Sequence, residues 1–266
     1  MSIRAPGEIK ARIETAERLQ LFLDYDGTLA DFAPTPEHVE PDPRVIALLT
    51  DLVEHPQIRV AVISGRRLGH VVELLPVPGL LLAGTYGVEL RLPDGERVDR
   101  VACDSIRPVL EKIKPRWERL IADRDSFFLE DKGWALAIHA RYATTAEAEK
   151  VLGRARRTVD EAASSDLFRV LGGHKFLEIG PALAHKGRTV AYLLQQSLWQ
   201  DALLLYVGDD DKDEEAFAVI QARGGVAIKV CEEPCETLAD GSLESPDEVQ
   251  RWLSGLPGQL SEPPRK

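Results

Sequence analysis

The stretch that most constrains the fold is Leu21-Phe22-Leu23-Asp24-Tyr25-Asp26-Gly27-Thr28. Three large apolar residues without polar alternation make a strand buried on both faces, as in a parallel sheet. The run stops at Asp24, so two carboxylates one residue apart stand where the strand leaves the sheet. In open α/β sheets, ligands bind at the carboxyl ends of the strands. A spacing of two places both side chains on one side of an extended chain, roughly 6–7 Å apart. Gly27 lets the backbone turn close to a ligand.

The same grammar recurs along the chain. Asp42-Pro43 reads as a cap with proline at the first helical position, and Val45, Leu48, Leu49 and Leu52 follow at helical spacing. A second buried run, Val60 to Ile63, ends in Ser64-Gly65-Arg66, and a short helix leads to a third run, Leu80 to Gly87. After Gly87 the texture changes: Asp94-Gly95 signals a hairpin. From about Ser105 to Glu178 the order reads helix, paired strands, helix, paired strands, with the first helix disturbed at Pro115. The α/β rhythm returns with a helix from Lys186, then a strand, an acidic turn and a helix around Gly208-Asp209-Asp210, and a further strand. Ser245-Pro246-Asp247-Glu248 has the form of a capping box and opens a last helix. The expected fold is α/β, a doubly wound mostly parallel sheet core (residues 1–103 and 179–266) with an inserted α+β cap domain (104–178).

Charge narrows the partners. The net charge of −11 leaves no basic surplus for a nucleic acid. The same field opposes a small anionic substrate, so a site for one needs clustered cations or a bound metal. No stretch is apolar enough for a membrane span or a leader, which makes the cytoplasm the expected compartment. Cys103, Cys231 and Cys235 do not form a disulfide framework; Cys231 and Cys235 have half the spacing of a zinc site without a second pair, and read as reduced thiols.

Four polar clusters fall at strand ends or helix starts: Asp24 with Asp26, Ser64, Lys186, and the turn Gly208-Asp209-Asp210 with Asp213. Each alone has a plain reading as a turn or a solvated helix end. Together they suit phosphoryl transfer. A carboxylate nucleophile divides hydrolysis of a phosphate ester into two easier steps. Carboxylate and phosphate repel, so the site needs a divalent cation and a fixed ammonium. Magnesium (Mg2+) suits a few carboxylate oxygens plus a phosphate, and the chain offers Asp24 and Asp209 for it. Ser64 and the backbone after it donate to phosphoryl oxygens, Lys186 supplies positive charge, and Asp26 serves as acid and base.

These motifs resemble those of the haloacid dehalogenase superfamily of phosphatases. The resemblance implies Asp24 as nucleophile and metal ligand, and Asp26 as acid/base with its backbone carbonyl on the metal. It implies Ser64 and Lys186 as the second and third motifs, and Asp209 as metal ligand supported by Asp210 and Asp213. The inserted segment carries Glu130-Asp131-Lys132-Gly133 and Glu178, with His139 and Arg141 alternating against Leu136 and Ile138. Carboxylates and a lysine suit the hydroxyls of a sugar. This pattern, with GTYGVEL (84–90) and GDDDKDEEAF (208–217), is similar to the trehalose-6-phosphate phosphatase family. The resemblance implies magnesium-dependent hydrolysis of trehalose 6-phosphate to trehalose and phosphate through an aspartyl phosphate, the last step of trehalose biosynthesis. It implies substrate binding by Ser64, Gly65, Arg66, Glu130, Lys132, Arg141 and Glu178, and leaves room for a separate synthase as partner, since no synthase-like domain is read in this chain. Two positions depart from the family's pattern: Lys212 where threonine is usual and Tyr86 where histidine is common. The rival expectations are another cap-bearing sugar phosphatase, for sucrose-phosphate or mannosylglycerate-phosphate, and a catalytically idle sugar-phosphate sensor. Asp26 argues against the last, because a phospho-receiver wants a long-lived acyl phosphate and no adjacent base.

Overall fold

The computed structural model describes residues 6–31, 39–163, 166–173, 175–197 and 199–261. Residues 1–5, part of the N-terminal stretch read above for a leader, lie outside them. The chain divides into two compact units, residues 1–98 with 185–266, and residues 99–184. The second unit begins at 99, ahead of position 104, and runs past 178 because the strand containing Glu178 continues, paired, to Pro181.

The first unit is built on the predicted apolar run. Strand β1 (Leu19–Leu23) is buried along its whole length. It pairs in parallel with β2 (Ile58–Ile63) on one side and with β10 (Leu203–Gly208) on the other. The sheet extends through β3 (Leu81–Gly84), β4 (Glu89–Arg91) and β5 (Arg97–Asp99) on one flank, and β11 (Val226–Val230) and β12 (Gly241–Leu243) on the other. The β3–β4 pair is antiparallel, and the other pairings from β12 to β3 are parallel.

Alternation along β1 sends side chains to two apolar layers. Leu19, Leu21 and Leu23 join α1 (Pro6–Glu14), α2 (Pro43–Glu54), α3 (Leu68–Leu74) and α8 (Pro246–Gly255) in one layer. Phe22 joins α6 (Lys186–Ser197) and α7 (Glu214–Gln221) in the other. Helices on both faces of a largely parallel sheet make the doubly wound core that the sequence predicts. Both caps form: Asp42 accepts from the Arg44 amide at 2.8 Å and Ser245 from the Glu248 amide at 3.3 Å. The Glu248 carboxylate accepts from the Glu244 amide at 2.6 Å, one residue short of the Ser245 amide of a full capping box.

The second unit pairs a four-stranded antiparallel sheet with two helices. Strands β6 (Phe128–Asp131), β7 (Leu136–His139), β9 (Phe176–Pro181) and β8 (Phe168–Gly173) lie in that order. Helix α5 (Thr145–Ala162) packs on β9, and α4 (Cys103–Ile121) packs on α5 and on β6, β7 and β9. The expected disturbance at Pro115 is not found: α4 runs unbroken through Pro108 and Pro115. Each proline forfeits one main-chain bond to the residue four back. The fully buried stripe Ile106, Leu110, Ile113 and Trp117 holds the helix regardless, and the Trp117 indole donates to the Ala155 carbonyl of α5 at 3.1 Å.

Candidate active site

Asp24 extends the β1 ladder by one residue, its amide donating to the Val207 carbonyl at 3.0 Å. This places a carboxylate, only 5% exposed, at the carboxyl edge of the sheet. Strand β10 beside it ends at Gly208, and the acidic turn follows. A side chain at Gly208 would put Cβ 2.2 Å from the Asp213 carboxyl carbon, so only glycine lets the turn fold back on the strand. Lys186, the first residue of α6, is 2% exposed, and its ammonium lies 2.9 Å from Asp24 and 2.7 Å from Asp213.

Asp213 is the hub of the turn. Its carboxylate accepts from the Tyr206 hydroxyl at 2.7 Å and from the Asp209 and Asp210 amides at 3.1 Å each. Asp210 is pulled the other way: Lys212, the departure noted above, pairs with it at 3.0 Å and with Asp211 at 2.6 Å. The substitution thus adds a cation on the flank of the turn and leaves Asp24, Asp209 and Asp213 together. Oxygens of those three carboxylates all lie within 4.8 Å of one another.

The electrostatics of this group are one-sided. Burial drives the Asp24 carboxyl well above the usual range; Lys186 opposes this, and Asp213 and Asp209 add to it. Burial, then Asp213, pushes Asp209 up to about 7. Asp213 is raised by burial against the pull of Lys186. Burial would lower the Lys186 ammonium, but Asp213 and Asp24 outweigh it and hold that pKa well above the ordinary value. Asp210 alone stays below the usual carboxylate range, because Lys186 and Lys212 overcome its burial. Asp209 Oδ1 is buried with no hydrogen-bond partner among the described residues. An orphaned oxygen inside a cluster of carboxylates with excess negative charge fits a hard divalent cation.

The second motif stands at the end of β2. Ser64 is fully buried, its amide bonds Ala83, and its hydroxyl accepts from the Arg66 amide at 3.1 Å. Arg66 grips Asp26 with both arms of its guanidinium, at 2.7 and 2.5 Å, and lies 3.3 Å from His70 Nδ1. Three consecutive residues on the neighbouring turn, Thr85, Tyr86 and Gly87, have φ of 48°, 55° and 92°. Such backbone persists only where its surroundings enforce it. Here the Thr85 amide bonds the Arg66 carbonyl at 2.7 Å, and the Tyr86 carbonyl accepts from Thr189 Oγ1 at 2.7 Å. The Tyr86 ring lies against Gly65, so the second departure from the family pattern packs on the second motif.

In the second unit, the register puts Phe128, Glu130, His139, Phe176 and Glu178 on one face of the sheet, opposite the face of Leu136 and Ile138. Lys132 bonds Glu178 at 2.6 Å, lies 3.9 Å from Glu130, and is 7% exposed. Glu178 is 1% exposed, and its Oε1 has no hydrogen-bond partner among the described residues. His139 Nε2 lies 2.9 Å from Glu130, with its ring stacked on Phe128 at 4.3 Å. Arg141 is exposed in the turn that follows β7, and its carbonyl accepts from Lys175 at 3.5 Å.

Sequence reading missed three partnerships. The Asp26–Arg66 fork joins residues 40 apart. Tyr206 supports Asp213 from within an apolar strand, where a buried hydroxyl was the only signal. His139 was noted for its direction, not for its bond to Glu130.

A family model described as trehalose-phosphatase matches residues 22–246. A trehalose-phosphate phosphatase of Mycobacterium ulcerans is 32% identical over 254 residues, which is 93% of this chain and 63% of that protein. One from Mycobacterium leprae is 28% identical over 94% of this chain and 60% of its own length. The chain thus spans less than two thirds of these relatives. The fold is similar to that of the C-terminal domain of a C. albicans trehalose-6-phosphate phosphatase, with TM-score 0.84, 20% identity and coverage of 97% and 98%. It is also similar to an Aspergillus fumigatus trehalose-6-phosphate phosphatase, with TM-score 0.69, 25% identity and coverage of 97% and 99%. A buried carboxylate cluster around one ammonium, on a doubly wound sheet whose sequence the family model matches over most of its length, places this chain in the trehalose-phosphatase family.

Proposed function

We propose that the protein hydrolyses trehalose 6-phosphate to trehalose and phosphate, with magnesium, through an aspartyl phosphate on Asp24. The observation that carries this reading is the convergence of the Asp24, Asp209 and Asp213 oxygens within 4.8 Å beside the Lys186 ammonium. Asp24 attacks phosphorus, and the bond to the sugar oxygen breaks. Asp26 gives that oxygen a proton, then takes one from the water that attacks the acyl phosphate. Asp26 is held by Arg66. An arriving phosphate dianion competes for that fork, since guanidinium binds phosphate in the same bidentate manner, and the exchange frees Asp26 for proton transfer. Ser64 and the Gly65 amide donate to phosphoryl oxygens, and Lys186 holds Asp24 in place and offsets its charge.

Asp24, Asp209 and the Asp26 carbonyl would hold magnesium, with Asp210 and Asp213 in support. When bound, the ion neutralises the two anions brought together there. In the inserted unit, which we read as the family's cap, Glu130 and Glu178 accept from sugar hydroxyls, and Lys132 and Arg141 donate. A separate synthase that supplies the phosphorylated disaccharide, and a cytoplasmic setting, belong to the same reading. No helix among the described residues is long and apolar enough to cross a membrane.

The test is phosphate release from trehalose 6-phosphate, glucose 6-phosphate and sucrose 6-phosphate, each with magnesium and with excess chelator. Strong preference for the first substrate, loss in chelator, and loss of several orders of magnitude in Asp24→Asn are expected. Equal turnover of all three substrates would remove the substrate assignment. Near-native activity of Asp24→Asn would remove the covalent step.

A further inference from the structure

Strand β11 ends at Val230, and the chain leaves the sheet through Cys231-Glu232-Glu233-Pro234-Cys235 before returning at β12. The segment from 231 to 240 is neither helix nor strand, yet both its ends are anchored. The Cys231 amide donates to Leu243 at 2.9 Å. Thr237 Oγ1 and the Leu238 amide both donate to Glu214, the first residue of α7, at 2.7 and 2.8 Å. Between these anchors Pro234 fixes one backbone torsion next to Cys235. The result is a short closed loop in which the two Sγ atoms lie 3.3 Å apart. A disulfide needs about 2.0 Å, so the sulfurs must approach by about 1.3 Å, within reach of side-chain rotation and a small shift of an irregular loop.

We propose that Cys231 and Cys235 are a peroxide-oxidisable dithiol that closes to an intramolecular disulfide. The two thiols are unequal, and the difference sets the order of events. Cys235 is exposed and Cys231 half-buried. Burial, with the neighbouring Cys235, pushes the Cys231 thiol up to about 11, so it is poorly suited to react first. The Cys235 thiolate attacks one oxygen of hydrogen peroxide. The S–O bond forms, the O–O bond breaks, and the second oxygen leaves as hydroxide, which takes up the proton released by the Cys235 thiol and becomes water. The Cys231 sulfur then attacks the Cys235 sulfenic acid; the S–S bond forms, the S–O bond breaks, and the hydroxyl leaves with the Cys231 thiol proton as a second water. Two thiols and one peroxide give one disulfide and two waters, with the two electrons passing from sulfur to peroxide. The third cysteine, Cys103, is exposed at the first residue of α4, in the other unit, and serves as an internal control.

The sequence makes the test direct. Cleavage after Lys229 and Arg251 releases one peptide holding both thiols and no other cysteine. The full chain is treated with hydrogen peroxide, alkylated, digested and weighed. The expected peptide is two hydrogens lighter, without alkyl groups, and recovers both alkylation sites after dithiothreitol. Alkylation of the intact chain falls from three sites to the single Cys103. In Cys231→Ser, a sulfenic acid on Cys235 is trapped by dimedone, and in Cys235→Ser the trapping on Cys231 is at least about tenfold weaker. Oxygen adducts on Cys235 without loss of two hydrogens, a disulfide joining two chains, or oxidation of Cys103 ahead of the pair would each overturn the proposal. Equal dimedone trapping in the two variants would overturn the order assigned to the thiols. None of these readouts depends on phosphatase activity.

Discussion

Replacing Lys186 with methionine removes one charge from a buried ionic cluster and keeps most of its volume. The ammonium is 2% exposed and lies 2.9 Å from Asp24 and 2.7 Å from Asp213. At an effective dielectric of about 20, each contact is worth roughly 6 kcal/mol before solvation is counted. Desolvating lysine cancels much of this, and the orphaned carboxylates limit their own cost by taking up protons. Breaking one partner out of a buried ion pair then costs about 3–5 kcal/mol in practice, a large part of the roughly 5–15 kcal/mol that holds a typical protein folded. The sign with pH follows from linkage. Asp24 and Asp213 are already raised in the folded chain, and losing Lys186 raises them further. Folded carboxylates that hold protons more tightly than unfolded ones lose stability as pH rises. The deficit of Lys186→Met is therefore larger at pH 8 than at pH 5.5, and on the proposed role of magnesium the added ion should narrow it by supplying positive charge. Urea unfolding gives the energy, and amide exchange assigns it: β1, β10 and α6 lose protection, whereas the second unit does not. A deficit below about 1 kcal/mol, or one independent of pH, would refute the account of a buried charge hub.

Asp26→Asn should slow hydrolysis of a sugar phosphate more than that of an activated aryl phosphate, whose leaving group needs little protonation. Rates measured on both substrates check this, and equal losses would take the acid role away from Asp26. Asp131→Asn should destabilise the second unit by about 1–2 kcal/mol, because Asp131 accepts both arms of Arg107 and the ammonium of Lys114 at 2.7–2.9 Å while 22% exposed. Arg107 holds its carboxyl below the ordinary value of 3.8 against burial, so this stability is present above pH 4 and drains away as pH falls below it. Acid unfolding followed by exchange in α4 and β6 reads that slope, and an equal slope in the variant would contradict it.

What the sequence revealed, and what it did not, divides by distance along the chain. Asp24 was legible because an uninterrupted apolar run fixes both the strand and the point where it ends. Gly208-Asp209-Asp210 was legible for the same reason at β10. The helix through Pro115 was misread because local propensity saw the missing amide and could not weigh Trp117 buried against α5. The Asp26–Arg66 fork and the Tyr206 bond to Asp213 escaped notice because each depends on which strands lie side by side. Nothing in the spacing of Cys231 and Cys235 said that their sulfurs would lie 3.3 Å apart; that follows from anchoring the loop at Leu243 and Glu214.

The cluster in the second unit shows how geometry changes the choice of a test. Lys132 and Glu178 read from sequence as parallel candidates for gripping a sugar. In the structure they are partners at 2.6 Å through Glu178 Oε2, 7% and 1% exposed, and Glu178 Oε1 has no hydrogen-bond partner among the described residues. Lys132→Ala would strand a buried carboxylate, so a loss of activity there would not separate sugar binding from folding. Glu130 is the better probe. It is 18% exposed, lies 3.9 Å from Lys132, and its bond to His139 survives in part as an amide. Glu130→Gln keeps the shape and removes a charged acceptor, a change worth roughly 1.5–3 kcal/mol at a hydroxyl. The expected result is a kcat/KM for trehalose 6-phosphate lower by about tenfold or more, with hydrolysis of a small aryl phosphate and the unfolding midpoint nearly unchanged. Parallel losses on both substrates would mean that Glu130 supports the fold. No loss on either would leave sugar selection without Glu130 and move the search along the same sheet face, to His139 and the Phe128 ring on which it stacks.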